Sequence, residues 1–300
     1  MEHRKVLSGK RIGIFGKGGS GKSTVAVLLA RALQDRGYRV CVLDADSTNA
    51  GLPQALDVDR PQESLLDYYG GMIFSGGLVT CPVDDPTPLV GAEISLDELP
   101  KQYFARNQDG ITLLTAGKIG DQGPGAGCDG PISKIARDVR FRQESDQPVT
   151  LVDFKAGFED SARGVITGLD WAVVVVDPTV AAVEMAANMK DMVNQIKAGG
   201  LPATEHLEDP DLVAWANKMF MQASIKGVLY VINRVQNEEM EEYLRNKLAE
   251  KGVEPVGVIN DQASIAISWL KGSPIEATEP QDEARGIAEK LEAAEVAYSS

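Results

Sequence analysis

Short, nearly all-apolar runs punctuate this chain, and between them the apolar positions recur every three or four residues. The runs are 11–16 (RIGIFG), 39–44 (RVCVLD), 111–116 (ITLLTA), 149–154 (VTLVDF), 172–177 (AVVVVD), 228–233 (VLYVIN) and 255–259 (PVGVI). They are β-branched and lack polar alternation, as strands covered on both faces are. Helical periodicity occupies 22–36, with Gly37 as its C-cap, and then 180–198, 237–251, 262–271 and 279–297. In the second of these, Val183, Met185, Met189, Val193 and Ile196 form a stripe expected to face the core. Strand and helix alternate, which predicts an α/β fold: a mostly parallel central sheet with helices on both faces. Residues 51–110, with GGMIFSGG and CPVDDPTPLVG, read as short helices and loops above the sheet edge; 199–226 reads as a loop followed by a short helix over DLVAWANKMFMQ. No repeat or linker interrupts the pattern, so one domain is expected over 1–300, with 51–110 and 199–226 as irregular insertions.

Composition narrows the partners. Of 300 residues, 43% are apolar and 25% charged, ordinary values for a globular protein. The net charge is −14, from 44 acidic and 30 basic residues. That balance argues against nucleic acid and anionic lipid as partners, because both need concentrated Lys and Arg. Cys41, Cys81 and Cys128 are an odd, scattered set, which suits a reducing compartment better than a disulfide framework. The N-terminal MEHRKVLSGKR has no apolar signal core, and WAVVVV is too short to cross a bilayer. The expected location is the cytoplasm.

The junction between the first strand and first helix carries GKGGSGKST, Gly16 to Thr24. Gly16, Gly21, Lys22 and Ser23 satisfy G-x-x-x-x-G-K-[ST], the phosphate-binding loop. Glycines let successive N–H groups converge on one anion, and the helix N-terminus adds partial positive charge. Gly18, Gly19, Ser20, Gly21, Lys22, Ser23 and Thr24 are therefore the expected nucleotide cradle, with Lys22 on the phosphates and Ser23 on Mg²⁺. The same glycines also satisfy G-x-G-x-x-G, the dinucleotide fingerprint, which requires neither Lys22 nor Ser23.

Ligands of open α/β sheets sit beyond the carboxyl ends of the strands. The second strand ends in DADSTN, so Asp44 and Asp46 are expected beside the loop, pointing the same way until the chain turns, one in the metal shell and the other orienting water. Loop-capping acids are the competing reading. Asp153 ends an apolar strand, as a Walker B acid does, and Gly157 follows where backbone must approach a γ-phosphate. Asn233-Arg234 ends a later strand, where an amide can pair with an adenine edge or simply close a turn. Cys128 lies in GDQGPGAGCDGP, crowded with Gly and Pro, where a thiol can be a soft metal ligand or a small buried hydrophobe. No second cysteine lies near it, and His3 and His206 are the only histidines. One chain is not expected to build a four-ligand site. A two-fold dimer would offer two Cys128 thiolates and Asp129 oxygens.

These residues resemble a family. Lys17 makes the loop KGGSGKST, similar to the deviant Walker A motif of the SIMIBI-class ATPases, which include MinD, ParA, the nitrogenase iron protein and the nickel-insertion ATPase of carbon monoxide dehydrogenase. DADSTN looks like switch I, DFKAG at 153–157 like switch II, and Asn233-Arg234 like the adenine-side motif. VGVINDQASIAISWLKGSPI resembles the closing strand and helix, with Asn260 where a proline is usual. The resemblance implies ATP and Mg²⁺ as ligands and a homodimer formed on ATP binding. It also implies Lys17 reaching the partner subunit's phosphates, Asp46 activating water, and Asp44 and Asp153 serving Mg²⁺. PGAGCDG at 124–130 and DFKAGFEDSARG are similar to the nickel-insertion and iron-protein branches. Those branches carry a further cysteine, at the position of Gly130 or near Asp160, and this chain does not. Cys128 alone remains as an interface ligand for a transition metal or iron–sulfur group. The function implied is a slow ATPase switch assisting metallocentre maturation of a client metalloenzyme. The alternatives are a ParA/MinD-like partitioning ATPase, an iron-protein-like reductase with a degenerate cluster site, or, through G-x-G-x-x-G, a dinucleotide enzyme. The acidic tail EPQDEARGIAEKLEAAEVAYSS does not suit a membrane-binding helix.

Overall fold

The computed structural model describes residues 5–118, 128–142, 147–157 and 164–299. The strands are β1 (Arg11–Gly16), β2 (Val40–Ala45), β3 (Glu93–Ile94), β4 (Phe104–Arg106), β5 (Thr112–Thr115), β6 (Arg140–Phe141), β7 (Val149–Phe154), β8 (Trp171–Val176), β9 (Gly227–Val235) and β10 (Pro255–Asn260). The α-helices are α1 (Lys22–Asp35), α2 (Leu52–Ala55), α3 (Leu65–Tyr68), α4 (Gly130–Asp138), α5 (Val180–Lys197), α6 (Pro210–Met221), α7 (Glu238–Glu250), α8 (Ala263–Lys271) and α9 (Thr278–Ser299).

Eight strands form the main sheet in the order β10-β9-β8-β1-β7-β2-β5-β4. All neighbours run parallel except β4, which pairs antiparallel with β5 at the edge. The apolar runs are continuous because alternate residues feed two separate cores. Ile12 and Ile14 of β1, Val40 and Val42 of β2, and Val173 and Val175 of β8 pack under α1 and α9. Phe15, Leu43, Val152 and Val174 point the other way, against α4, α5 and α7. Phe15 stacks on Phe154 with ring centroids 4.6 Å apart. Each such fully buried side chain contributes about 1.5–3 kcal/mol.

β1 lies between β7 and β8. The chain leaves it through α1 towards β2 on one side, while β8, β9 and β10 lie on the other. The crevice at such a reversal is where open α/β sheets bind ligands.

The expected strands and long helices are present, with ends moved by one or two residues. Residues 51–110 do hold short helices and loops, and they also supply β3 and β4. β3 pairs with β6 as a separate two-stranded ribbon. Helix α4 is an addition. It begins two residues after Cys128, inside a stretch whose Gly and Pro content pointed only to unusual backbone.

Candidate functional site

β1 delivers the chain into the glycine loop. Gly19 and Gly21 have φ of 81° and 90°, left-handed values that L side chains rarely adopt. Gly21 is the N-cap of α1 and offers no side-chain cap, so the first-turn N–H groups of a 14-residue helix face the loop. At Gly16 there is no space: a Cβ would lie 2.6 Å from Ser20 Oγ and 2.7 Å from the Val175 carbonyl. Lys22 is buried, its ammonium donating back to the Lys17 carbonyl at 3.4 Å.

Asp153 ends β7 directly beside Asp44 of β2. Ser23 Oγ donates to Asp153 Oδ2 at 2.6 Å, and Asn49 Nδ2 donates to Ser23 Oγ at 2.9 Å. Asp153 is fully buried and its Oδ1 has no hydrogen-bond partner among the described residues. Burial pushes its carboxyl up to about 7, against the pull of the Ser23 hydrogen bond. Ser20 Oγ, at the same loop, is also buried without a partner. A hydroxyl beside a carboxylate with one uncommitted oxygen is a hard-oxygen donor set, and it fits Mg²⁺.

Asp44 and Asp46 have different surroundings, because β2 ends at Ala45 and the chain turns between them. Asp44 is buried and accepts from Lys118 Nζ at 2.6 Å. Burial raises its carboxyl to about 6, and Lys118 works against that rise. Lys118 also donates to the Asp46 carbonyl at 2.5 Å, pinning the turn that follows β2. The half-buried Asp46 accepts at its carboxylate from the Thr48 N–H at 2.9 Å and its hydroxyl at 2.7 Å. Asp46 lines an open cleft of about 330 Å³ with Gly19, Lys22, Asn49, Arg234 and Trp269.

Asn233 lies beneath the loop. It is buried, and its carboxamide N–H donates to the Ser20 carbonyl at 2.7 Å. Arg234 takes a left-handed φ of 63° and donates to the Gly19 carbonyl. At the opposite wall the Trp269 indole N–H donates to Thr24 Oγ1 at 2.9 Å. Lys17 is half-buried, with Nζ 3.5 Å from Thr179 Oγ1. Gly157, at φ 107°, donates its N–H to the Gly16 carbonyl at 3.2 Å.

Three participants were missed from the sequence: Asn49, Lys118 and Trp269. Asn49 belongs to DADSTN, and Lys118 to a conspicuous GK pair, but neither carries a spacing that announces a contact.

Cys128 is half-buried, and its neighbour Asp129 is shared. Ser47 Oγ donates to Asp129 Oδ1 at 2.5 Å, and Lys155 Nζ pairs with Oδ2 at 2.6 Å. The loop after Thr80 brings Cys81 against Gly130, in the same turn. Among the described residues no group of three or more His, Cys, Asp or Glu is placed to hold a metal. Residues 119–127, before Cys128, and 158–163, where the second cluster cysteine was sought, lie outside the described residues.

The comparisons agree with this geometry. The model of the CobQ/CobB/MinD/ParA nucleotide binding domain matches residues 14–275. An uncharacterised ATP-binding protein of Methanocaldococcus jannaschii is 29% identical over 269 residues, 89% of this chain and 94% of its own. The carbon monoxide dehydrogenase accessory protein CooC of Rhodospirillum rubrum is 31% identical over 187 residues, 62% of this chain and 70% of its own. In fold, the Aquifex aeolicus MinC:MinD cell division complex gives a TM-score of 0.60 at 16% identity, covering 95% of this chain and 96% of the matched one. Pyrococcus furiosus MinD gives 0.55 at 21%, covering 95% and 99%. The family model spans residues 14–275, and the chain belongs to the CobQ/CobB/MinD/ParA nucleotide-binding family, within the SIMIBI class of P-loop ATPases.

Proposed function

We propose that this ATPase is a dimer-forming switch that assists metallocentre maturation in a client enzyme. The observation that carries the reading is Asp129. It follows Cys128 directly and accepts hydrogen bonds from Ser47 and Lys155, one from each segment flanking the phosphate site. A thiol turn is thereby tied to the parts of a P-loop ATPase that respond to the γ-phosphate. The likeness to CooC points the same way.

In the proposed cycle the loop N–H groups and Lys22 bind the phosphates of ATP, and Asn233 keeps the loop in shape. Mg²⁺, when bound, neutralises phosphate charge, and Ser23 and Asp153 are the residues that would hold it. Asp46 orients the attacking water, and Lys17 reaches across to the partner subunit's phosphates. ATP and water give ADP and phosphate, and the dimer reopens.

The second reading is a MinD- or ParA-like positioning ATPase. Two observations weigh against it. The net charge is −14. Helix α9, the C-terminal segment, buries Ala284, Ile287, Ala288 and Leu291 in the α1 core, so that apolar face is not free for a membrane. No described helix is long and apolar enough to cross a bilayer.

The test is oligomeric mass by light scattering with and without a non-hydrolysable ATP analogue, for the natural chain and K17A. Nucleotide should dimerise the natural chain and leave K17A monomeric but still able to bind nucleotide. A K17A dimer of natural strength refutes the trans role. ATP-dependent pelleting with DNA or anionic vesicles would favour the second reading.

A further inference from the structure

Thr24 stands in the first turn of α1, one residue after Ser23, and lines the cleft above the phosphate loop. It is 7% exposed, so water is largely kept from it. A threonine hydroxyl has one proton to give and two lone pairs with which to receive. Here the oxygen receives: the Trp269 indole N–H donates to Thr24 Oγ1 at 2.9 Å. Among the described residues nothing accepts the hydroxyl proton in return. A buried donor without an acceptor is a cost that a ligand oxygen can remove.

The kind of partner matters. An amide or a second hydroxyl can both give and take, and would leave the Thr24 rotor free to turn either way. An indole N–H can only give. With Trp269 in place, the Thr24 hydroxyl meets the cleft as a donor.

Trp269 is itself held from several sides. It lies in the last turn of α8, which closes at Gly272 with a left-handed φ of 61°. Its ring is half-buried and packs against the core beneath α1. One edge meets Gly51, just past the DADSTN turn. A Cβ built there would lie 2.9 Å from Cζ3 and 3.1 Å from Cε3 of the indole, so only hydrogen fits. Three segments distant in sequence thus converge on one hydroxyl.

We propose that Trp269 is a positioning residue for the nucleotide: it holds the Thr24 hydroxyl as a donor and so commits its proton to a phosphate oxygen. The acceptor is a phosphate because Lys22 and the uncapped first-turn N–H groups of α1 gather negative charge at this helix end. A donor oriented before the ligand arrives needs no ordering when it binds. The inference rests on the cleft being the nucleotide site and is independent of any role in metallocentre maturation.

The experiment measures Mg·ADP binding by titration calorimetry for the natural chain, T24S and T24V, each with and without W269F. W269F keeps an aromatic ring and loses the N–H; it should weaken ADP about three- to tenfold. T24V should weaken it about tenfold or more, and T24S far less. The W269F loss should persist beside T24S, which keeps a hydroxyl, and vanish beside T24V, which has none to orient. A ring that mattered only through packing would cost the same in all three backgrounds, and that result overturns the proposal. So does a W269F protein with natural affinity. G51A is a second route. Gly51 has a φ of −99°, which alanine adopts without strain, while the new methyl must push the ring aside. G51A should repeat the loss with the indole still present, again only where a hydroxyl remains at position 24. Thermal melts check that each variant folds, and either W269F or G51A alone is enough to decide. A natural chain that binds no ADP would overturn the nucleotide site itself; binding with no Thr24-dependent loss overturns only the role of Trp269.

Discussion

Asn233 and Gly21 should act as one unit, and a double-mutant cycle can show it. Asn233→Ala removes a buried donor to the Ser20 carbonyl. Leaving that acceptor without its partner costs about 1–3 kcal/mol. Gly21→Ala has two costs. The residue sits at φ 90°, which adds about 1–2 kcal/mol for an L side chain. Its new Cβ would also overlap Asn233 Nδ2, far inside van der Waals contact, so the carboxamide must swing away and the same hydrogen bond is lost. The single changes should therefore cost about 1–3 and about 2–5 kcal/mol. The double variant should cost no more than Gly21→Ala alone, a coupling of about 1–3 kcal/mol. Urea unfolding without nucleotide measures all four corners at constant slope. ATP affinity provides a second readout, expected to fall about tenfold for each 1.4 kcal/mol of lost loop geometry. Additivity within about 0.5 kcal/mol would refute the shared-bond reasoning.

Three further outcomes follow from buried charge. Asp153→Asn keeps the shape of a fully buried acid whose Oδ1 is unpartnered and removes a charge that burial disfavours; the melting temperature without nucleotide should hold or rise while Mg²⁺ no longer tightens ATP binding, and retained Mg²⁺ dependence in the variant would count against Asp153 as the metal-side acid. Lys118→Met strands the buried Asp44 carboxylate and should destabilise by about 3–5 kcal/mol in urea unfolding at pH 8; a loss under 1 kcal/mol, on the order expected of a surface pair, would show that Lys118 is dispensable. Glu295 is buried, which pushes its carboxyl up, but hydrogen bonds from Lys226 and the Trp171 indole outweigh this and hold it below its ordinary 4.5. Its contribution is complete above pH 4.5 and disappears as pH falls through the lowered folded-state value. Glu295→Gln should cost about 1.5–3 kcal/mol at pH 7 and flatten the acid limb of the stability curve, and parallel acid limbs in the two proteins would contradict the sign.

The part of this molecule written in local order could be read from the sequence. All-apolar runs announced buried parallel strands, and the strand–glycine–helix junction announced the phosphate site, because both depend on neighbouring residues. β4 could not be read, since Phe104–Arg106 is three residues held by its pairing with β5. Helix α4 had its signal in Ile132, Ile135 and Val139, masked by the Gly and Pro that precede it. Lys118 on Asp44, Trp269 on Thr24 and Cys81 on Gly130 are contacts between distant segments. No periodicity encodes them; the fold creates them when strand order is set.

The Asp129 carboxylate has two oxygens, and each is assigned to a different strand end: Oδ1 to Ser47, after β2, and Oδ2 to Lys155, after β7. The start of α4 is thereby anchored to two strand ends at once, and the same helix holds the loop that carries Cys81 through Lys134.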